Sequence, residues 1–508
     1  MPSSWDAICV GAGITSLAFA AQVAMRERNA RILLIDKHAV PGGYASVFTR
    51  PKAGAVFDCS LHKLSGTGDG GNLRRIFADL GLDQELKLEV SRTYFDAVLP
   101  GGRRVVLPND GEACESALCE SFPAHAAAIR EFFREVNVYG RHGYYQFQML
   151  EGSYEADMAE LRHAHRHLKN ITVAEALGSR IADPWLSEIL GATGIYVGGY
   201  PEDLGYLYFL HVVYATLCKG NAYVLGASER LSDALVQRIE RAGGQVLLGT
   251  SVTRVLIDEA GQAEGVETTQ GRFHAKRVYI NASPHYALRN LFEPAQQLQP
   301  VRERLAALRP SRSTTTVYLT TDADPAELGL GCCETMVFAR DGDGTEALAA
   351  RRAAAASPHD SVLGERAYWR LSPMELTNYH LLNPTAGRVV CLNVLDDMSH
   401  WPERRDKHYK AKKRRAVDTL LERLIEACPQ VAGHVAYSEL ATPRTYERFT
   451  NNTDGAGYGA MVGTDMSGHA FHRGFPFGGV QFLSAWVAGP SYEAAFGYAE
   501  MKAKRWAA

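Results

Sequence analysis

A surplus of positive charge is the first thing missing from this chain. Its 54 Lys and Arg stand against 57 Asp and Glu, a net charge of −3, whereas a nucleic-acid binder needs a basic excess to displace counterions from phosphate. Paired cysteines are missing as well. Cys9, Cys59, Cys114, Cys119, Cys218, Cys332, Cys333, Cys391 and Cys428 are odd in number and show no CxxC spacing. That argues against a zinc site or a disulfide framework and suits a reducing, cytoplasmic compartment. Long apolar runs are scarce. Besides Ala7–Met25, the longest stretches without charge are Leu204–Cys218 and Phe475–Tyr492; the first is too short to span a bilayer and the second is broken by glycine and proline. Ala7–Met25 follows Asp6 rather than Lys or Arg and holds two glycines, so it reads as neither a secretory leader nor an anchor.

What the sequence does contain is concentrated first in Asp6–Asp36, DAICVGAGITSLAFAAQVAMRERNARILLID. Ala7–Val10 is a short apolar strand. It runs into Gly11-x-Gly13-x-x-Ser16, after which Leu17, Ala20, Ala21 and Ala24 recur at helical spacing, and Ile32–Ile35 form a second buried strand. A strand, glycine turn, helix and strand in this order form a dinucleotide-binding unit. Gly11 permits the turn, Gly13 lets backbone approach a pyrophosphate, and the helix N-terminus offers unpaired N–H groups and partial positive charge. Ser16 takes the place of the third glycine and is small enough for close helix–strand packing. Asp36 lies at the end of the second strand, where a carboxylate accepts from a ribose diol. With 508 residues, 46% of them hydrophobic, the chain can bury more than one core, so two domains are expected.

Further motifs narrow the dinucleotide. Asp36-Lys37-His38-Ala39-Val40-Pro41-Gly42-Gly43-Tyr44 is an acid followed by a glycine pair, and Phe57-Asp58-Cys59-Ser60-Leu61-His62 follows. Later come the helix Ser228–Ala242 with its Gly243-Gly244 stop, Val252, Asn281-Ala282, Thr442–Thr450, Asp454-Gly455-Ala456-Gly457-Tyr458-Gly459, and Val480–Trp486. In this order the segments resemble the phytoene desaturase, carotenoid isomerase and retinol saturase group of FAD-dependent oxidoreductases in the amine oxidase superfamily. Ser60 and Ser484 stand where that group has glycine, and the turn after the last strand is shortened to Ala488-Gly489-Pro490-Ser491. The histidine at position 62 matches the isomerase and saturase branch.

The resemblance implies an α/β fold with a Rossmann-like FAD-binding domain of the amine-oxidase type and a discontinuous α+β substrate domain. It assigns 1–90, 221–300 and 436–508 to the first and 91–220 and 301–435 to the second. It implies noncovalent FAD held by Gly11, Gly13, Ser16, Asp36, Lys37, Gly42, Gly43, Tyr44, Val252, Asn281, Gly455 and Ser484. NAD(P)H is a candidate external reductant. His62 and Tyr446 are the candidates for proton handling, since both fall in segments expected near the flavin; each is also the kind of side chain that merely hydrogen-bonds. The implied substrate is an apolar polyene or isoprenoid, acted on by desaturation or reduction. Two other readings stay open: redox-neutral isomerisation or cyclisation, and a flavin-free prenyl-binding protein of the Rab escort and GDI type.

The rest of the chain adds elements. Tyr94–Pro108 reads as a hairpin around Gly101-Gly102, and Ala113–Val136 as one helix. Ala156–Leu168, Thr172–Leu177, Pro184–Leu190 and Tyr206–Cys218 read as further helices of an aromatic-rich block that suits a lid over an apolar ligand, though an aromatic stripe is equally ordinary core. His163, His165 and His167 lack the glutamate and the remaining ligands of a metal site, and their arginine neighbours suit a solvated face; no metal is expected. Asp341–Pro358 is Ala/Arg/Gly-biased and reads as a mobile surface insertion. The helix His408–Cys428 opens with Lys410, Lys412, Lys413, Arg414 and Arg415, a candidate for peripheral contact with anionic lipid or simply a solvated face. The sequence gives no expectation for oligomeric state.

Overall fold

The computed structural model describes residues 4–27, 29–60, 63–339, 362–465 and 467–506. His62 and the segment 341–358 therefore lie outside the described residues.

The first body is built on a parallel five-stranded sheet in the spatial order Gln245–Leu247, Ile32–Ile35, Ala7–Val10, Val278–Ile280 and Val480–Phe482. Its central strands read as unbroken apolar runs because both faces are covered. Ala7, Cys9, Ile32 and Leu34 face one core with Leu17, Phe19, Leu231 and Phe496. Ile8, Val10, Leu33 and Ile35 face another with Val266, Leu288 and Phe482. The helices Ile14–Arg26, Glu229–Arg241 and Tyr492–Lys504 cover the first face. A three-stranded antiparallel sheet, Val252–Ile257, Ala263–Thr268 and Gly271–His274, contributes to the cover of the second.

The second body is a seven-stranded sheet in the order Val435–Ala441, Ser313–Thr321, Val389–Asp396, Met374–Asn378, Glu334–Val337, Thr93–Val98 and Arg104–Pro108. Every neighbouring pair is antiparallel except Glu334–Val337 with Thr93–Val98. The period of two decides which side chains face where. Val317, Leu319, Val390, Leu392 and Val394 pack on Leu420 and Leu424 of the helix Lys407–Ala427, which leaves Thr314, Thr316, Tyr318, Cys391 and Asn393 on the opposite face. Val435–Ala441 pairs with Ser313–Thr321, so the chain returns to the first body one strand later than a boundary at 436 would have it.

Two local expectations are corrected. Ala113–Val136 is not one helix: Gly111–Ser121, capped by Asp110 accepting from the Ala113 N–H at 2.9 Å, stops before Pro123, and Ala126–Glu135 begins after it. Proline supplies no N–H to the preceding turn and pushes the residue before it out of helical conformation. Phe122 accordingly has φ −134° and ψ 62°. The second correction concerns the basic helix. Lys412 is buried, 3.3 Å from Glu365, and donates to the His400 carbonyl, while Arg415 donates to the same Glu365 at 2.6 Å. Lys410 and Arg414 remain exposed. Among the described residues no helix is long and apolar enough to cross a membrane.

Candidate active site

At the end of Ala7–Val10 the chain turns at Gly11 with φ +99°, where a Cβ would fall 2.6 Å from the Asn281 carbonyl oxygen. Gly13 caps the helix Ile14–Arg26 in extended conformation with no side-chain capping bond. The first-turn N–H groups therefore have no internal partner. A Cβ at Gly13 would meet the Asn281 amide nitrogen at 2.8 Å, so any larger residue here displaces the Asn281 side chain. Gly42, at φ +104°, donates its N–H to the Ala12 carbonyl at 2.8 Å, and Gly43 at φ +63° lies against the Cα of Gly13. The two glycine pairs thus pack backbone on backbone. Asp36 ties them down: Oδ2 accepts from the Ala12 N–H at 2.8 Å and Oδ1 from the His38 N–H at 2.8 Å.

These residues line a cavity of about 570 Å³. Ile35, Asp36 and Val252 border it, as do Gly11, Gly13, Gly42 and Gly43 from the two glycine turns. Lys37, Tyr44, Asn281, Tyr446 and Ser484 line it too, with Trp486. Burial lowers the Lys37 amine against the opposing pull of Asp36, and pushes the Tyr44 phenol up to about 12. Ser16 does not reach the cavity; it is fully buried within its helix. Gly455, at φ +64°, lines a smaller neighbouring cavity of about 140 Å³ instead.

Two polar atoms show what the larger cavity would accept. The Asn281 amide nitrogen and the Ser484 hydroxyl are buried and without a hydrogen-bond partner, a costly condition that a polar ligand relieves. With the helix N-terminus, the glycine backbone and the aromatic rings of Tyr44, Tyr446 and Trp486, the donor set fits a dinucleotide that carries a flat aromatic ring system.

Tyr446 stands on the helix Pro443–Thr450, whose start is fixed by a reciprocal bond between Thr442 and Thr445. Its hydroxyl lies 2.7 Å from Thr316 Oγ1 and 3.3 Å from the Tyr318 hydroxyl. Thr316 donates to Asn393 Oδ1 at 2.7 Å, and Tyr318 donates to the Cys59 carbonyl at 2.9 Å. Burial raises the Tyr446 phenol, so it keeps its proton near neutral pH and can donate. Ile14, Tyr44, Tyr318 and Tyr446 border both cavities, which places this hydroxyl network at their junction. Thr316, Tyr318, Asn393 and Trp486 were not among the expected site residues. A signal for two of them lay in the alternation of Thr314, Thr316 and Tyr318 with the apolar Val317 and Leu319 along one strand.

The rings of His163 and His167 lie 4.6 Å apart, tilted by 42°, on an exposed helix face, and among the described residues no three His, Cys, Asp or Glu side chains gather as metal ligands.

Comparison with known proteins gives the following. The family model of flavin containing amine oxidoreductases matches residues 18–474. An all-trans-retinol 13,14-reductase of Danio rerio is 23% identical over 504 residues, covering 91% of this chain and 79% of that protein. The chloroplastic prolycopene isomerase of Arabidopsis thaliana is 23% identical over 479 residues, covering 90% and 75%. Among solved structures, cyclohexylamine oxidase from Brevibacterium oxydans superposes with a TM-score of 0.64 at 17% identity, covering 99% of both chains. An oxidoreductase from Methanosarcina mazei gives 0.62 at 15% identity, covering 98% of this chain and 99% of that one. These two establish a shared fold.

Proposed function

The chain belongs to the flavin containing amine oxidoreductase family, and on that premise we propose that it holds FAD noncovalently in the 570 Å³ cavity and reduces or desaturates carbon–carbon bonds of an apolar polyene or isoprenoid. The names of its relatives support that substrate class. The observation that carries the reading is the continuity of the site: the glycine-lined cavity with its two unpaired polar atoms shares Tyr44, Tyr318 and Tyr446 with the smaller cavity.

When bound, the flavin supplies a ring nitrogen that takes or gives a hydride. The chain's residues do the rest. Gly11, Gly13, Gly42 and Gly43 give phosphates room against backbone, and the Ile14–Arg26 helix N-terminus offers them N–H donors. Asp36 accepts from the ribose with the lone pairs its two backbone bonds leave over. Asn281 and Ser484 donate to the same ligand. Tyr446 holds a proton at the junction, its hydroxyl oriented by Thr316, which Asn393 in turn fixes by accepting from it. The buried rings around it exclude water.

A prenyl-binding role without flavin is not favoured, because the family is a flavoprotein family and the nucleotide cradle is complete. Isomerisation is kept as the second reading, since the relatives include prolycopene isomerases. One experiment addresses all three. Purified protein is expected to be yellow and to release intact FAD on denaturation. Anaerobic incubation with a polyene is expected to change the product mass by two hydrogens, with NAD(P)H tested as reductant. A mass unchanged beside a shifted double-bond geometry selects isomerisation, and a colourless protein that takes up no added FAD removes the flavoenzyme reading.

A further inference from the structure

Behind the small cavity lies a third, of about 510 Å³, which shares the wall Ser60, Tyr458 and Gly489–Tyr492 with it. It is bounded on one side by the helical block and on the other by the helix Tyr492–Lys504. A chamber for a bare hydrocarbon needs only apolar walls. This one carries a cluster of buried, mutually bonded polar groups. Glu493 is 7% exposed, in the first turn of its helix. The Ser65 hydroxyl donates to its Oε2 at 2.8 Å and the Tyr144 hydroxyl donates to its Oε1. Gly66 leaves room for it, since a Cβ there would fall 2.0 Å from Oε1. Tyr144 accepts from the Asn72 N–H at 2.8 Å, and Gln148 donates to the Asn72 side-chain oxygen at 2.5 Å. The Gln148 side-chain oxygen is then buried with no partner.

The charge of the cluster says what it can hold. Of the cations on the chamber wall, Lys63 pairs with Glu334 at 3.0 Å and Arg75 with Glu500 at 2.6 Å, while Arg473 is exposed. His211, edge-on to Tyr144 and Tyr208, is pushed by burial down to about 4 and is neutral. Burial pushes Glu493 up to about 7, although Tyr144, Ser65 and the Asn72 backbone pull the other way. Near neutral pH a large share of it carries its proton and can both donate and accept. An anionic ligand end at Glu493 would meet an acid whose bonded partners are neutral hydroxyls. A hydrocarbon end would desolvate the cluster and return no hydrogen bond. A hydroxyl, one donor and two acceptor sites, matches a neutral carboxyl beside an amide oxygen.

We propose that this chamber grips the substrate by a terminal hydroxyl group through Glu493, Tyr144 and Gln148, so that the substrate is a polyene or isoprenoid alcohol. This rests on the reading of a flavoenzyme acting on such chains. Holding one end fixes which double bond reaches the junction at Tyr446, and the cluster thereby sets regiochemistry as well as affinity.

The test uses the flavin-loaded full chain and four probes: a conjugated polyene primary alcohol, its methyl ether, its primary-amine analogue and the parent hydrocarbon. Binding is read by quenching of intrinsic tryptophan fluorescence, which needs no turnover. The alcohol is expected to bind at least about tenfold more tightly than the ether and the hydrocarbon, since a site built for a hydroxyl rejects analogues that lack it. Glu493→Leu is expected to erase the difference and Glu493→Gln to keep most of it, with flavin content and far-UV circular dichroism unchanged. Should Glu493→Leu fail to fold, Gln148→Leu on the chamber wall is expected to lose part of the same preference. Equal binding of alcohol and hydrocarbon, tighter binding of the amine, or a preference that survives both leucine variants overturns the proposal. A flavin-loaded protein that binds none of the four overturns the polyene reading beneath it.

Discussion

The glycine-lined cavity and the chamber behind it both present buried polar groups to a ligand, but they are made of different material. The first has a stretch of backbone wall at its glycine turns: Gly11 and Gly13 lie against Asn281, Gly42 against Ala45 and Gly43 against Gly13, so closely that Cβ atoms would land between 2.1 and 3.4 Å from these neighbours. The second is walled by side chains, with Ser65, Asn72, Tyr144 and Glu493 drawn from four separate elements. A backbone wall has one shape and binds one kind of group, such as a phosphate or a ribose. A side-chain wall can be altered residue by residue without disturbing the chain path, so it is where substrate choice can vary within one fold.

That contrast can be broken by mutation. The largest effect is expected at Gly42, whose Cβ would lie 2.1 Å from the Ala45 carbonyl oxygen at φ +104°. Gly42→Val should cost more than about 3 kcal/mol and abolish flavin retention. Gly54→Val is the control, at φ +59° with nothing within 4 Å, and should cost only about 1 to 2 kcal/mol of left-handed strain. Equal losses in denaturant unfolding would show that close packing is not what the first wall depends on.

The chamber wall should respond to pH instead. Glu493 is raised from 4.5 to about 7 in the fold, so between these values the unfolded chain has released a proton that the folded chain still holds. Stability contributed by this group is therefore lost as pH rises from about 4.5 to about 7 and is level above that, with a full span of about 3 kcal/mol. Glu493→Gln should flatten that part of the stability curve. A slope identical in wild type and variant would mean that Glu493 ionises in the fold as it does in the unfolded chain.

A third expectation lies at the boundary of the two materials. Asp36 is a side chain, yet it works by holding backbone, through the Ala12 and His38 N–H groups. Asp36→Ala should lower apoprotein stability by about 2 kcal/mol as well as weakening FAD. Loss of flavin through gel filtration with no loss of stability would assign it to the ribose alone. The smallest effect on folding is expected from Tyr446→Phe. Removing bonds to Thr316 and Tyr318 should cost about 1 kcal/mol and leave flavin content intact. If its hydroxyl handles the proton, turnover falls by about a hundredfold or more, and unchanged turnover reduces it to a wall residue.

The same division separates what could be read from the chain and what could not. The strand Ala7–Val10, the turn at Gly11 and the helix from Ile14 stand where composition and spacing put them. The strand Ile32–Ile35 is also legible, because burial on both faces writes itself as an unbroken apolar run, whereas Glu334–Val337, Met374–Asn378 and Val435–Ala441 carry no such run and were not expected. The break at Pro123 was present in the sequence, but helical periodicity on both sides of it masked the stop. Lys412 was read as part of a basic face although its partner Glu365 lies on another helix. Nothing around Lys412 in the sequence distinguishes it from Lys410, which is exposed.

By itself the sequence determined the two glycine turns proposed to cradle the nucleotide, because a backbone path with positive φ and no room for Cβ, as at Gly11 and Gly42, is dictated by the glycines themselves and their immediate neighbours. Only the tertiary structure decided that Tyr446 meets Thr316 and Tyr318, and that Glu493 meets Tyr144 and Ser65. The members of the second set are separated by as many as 428 positions along the chain. Their chemistry arises from burial and from one another's dipoles, which exist only once the two bodies and the helical block have packed together.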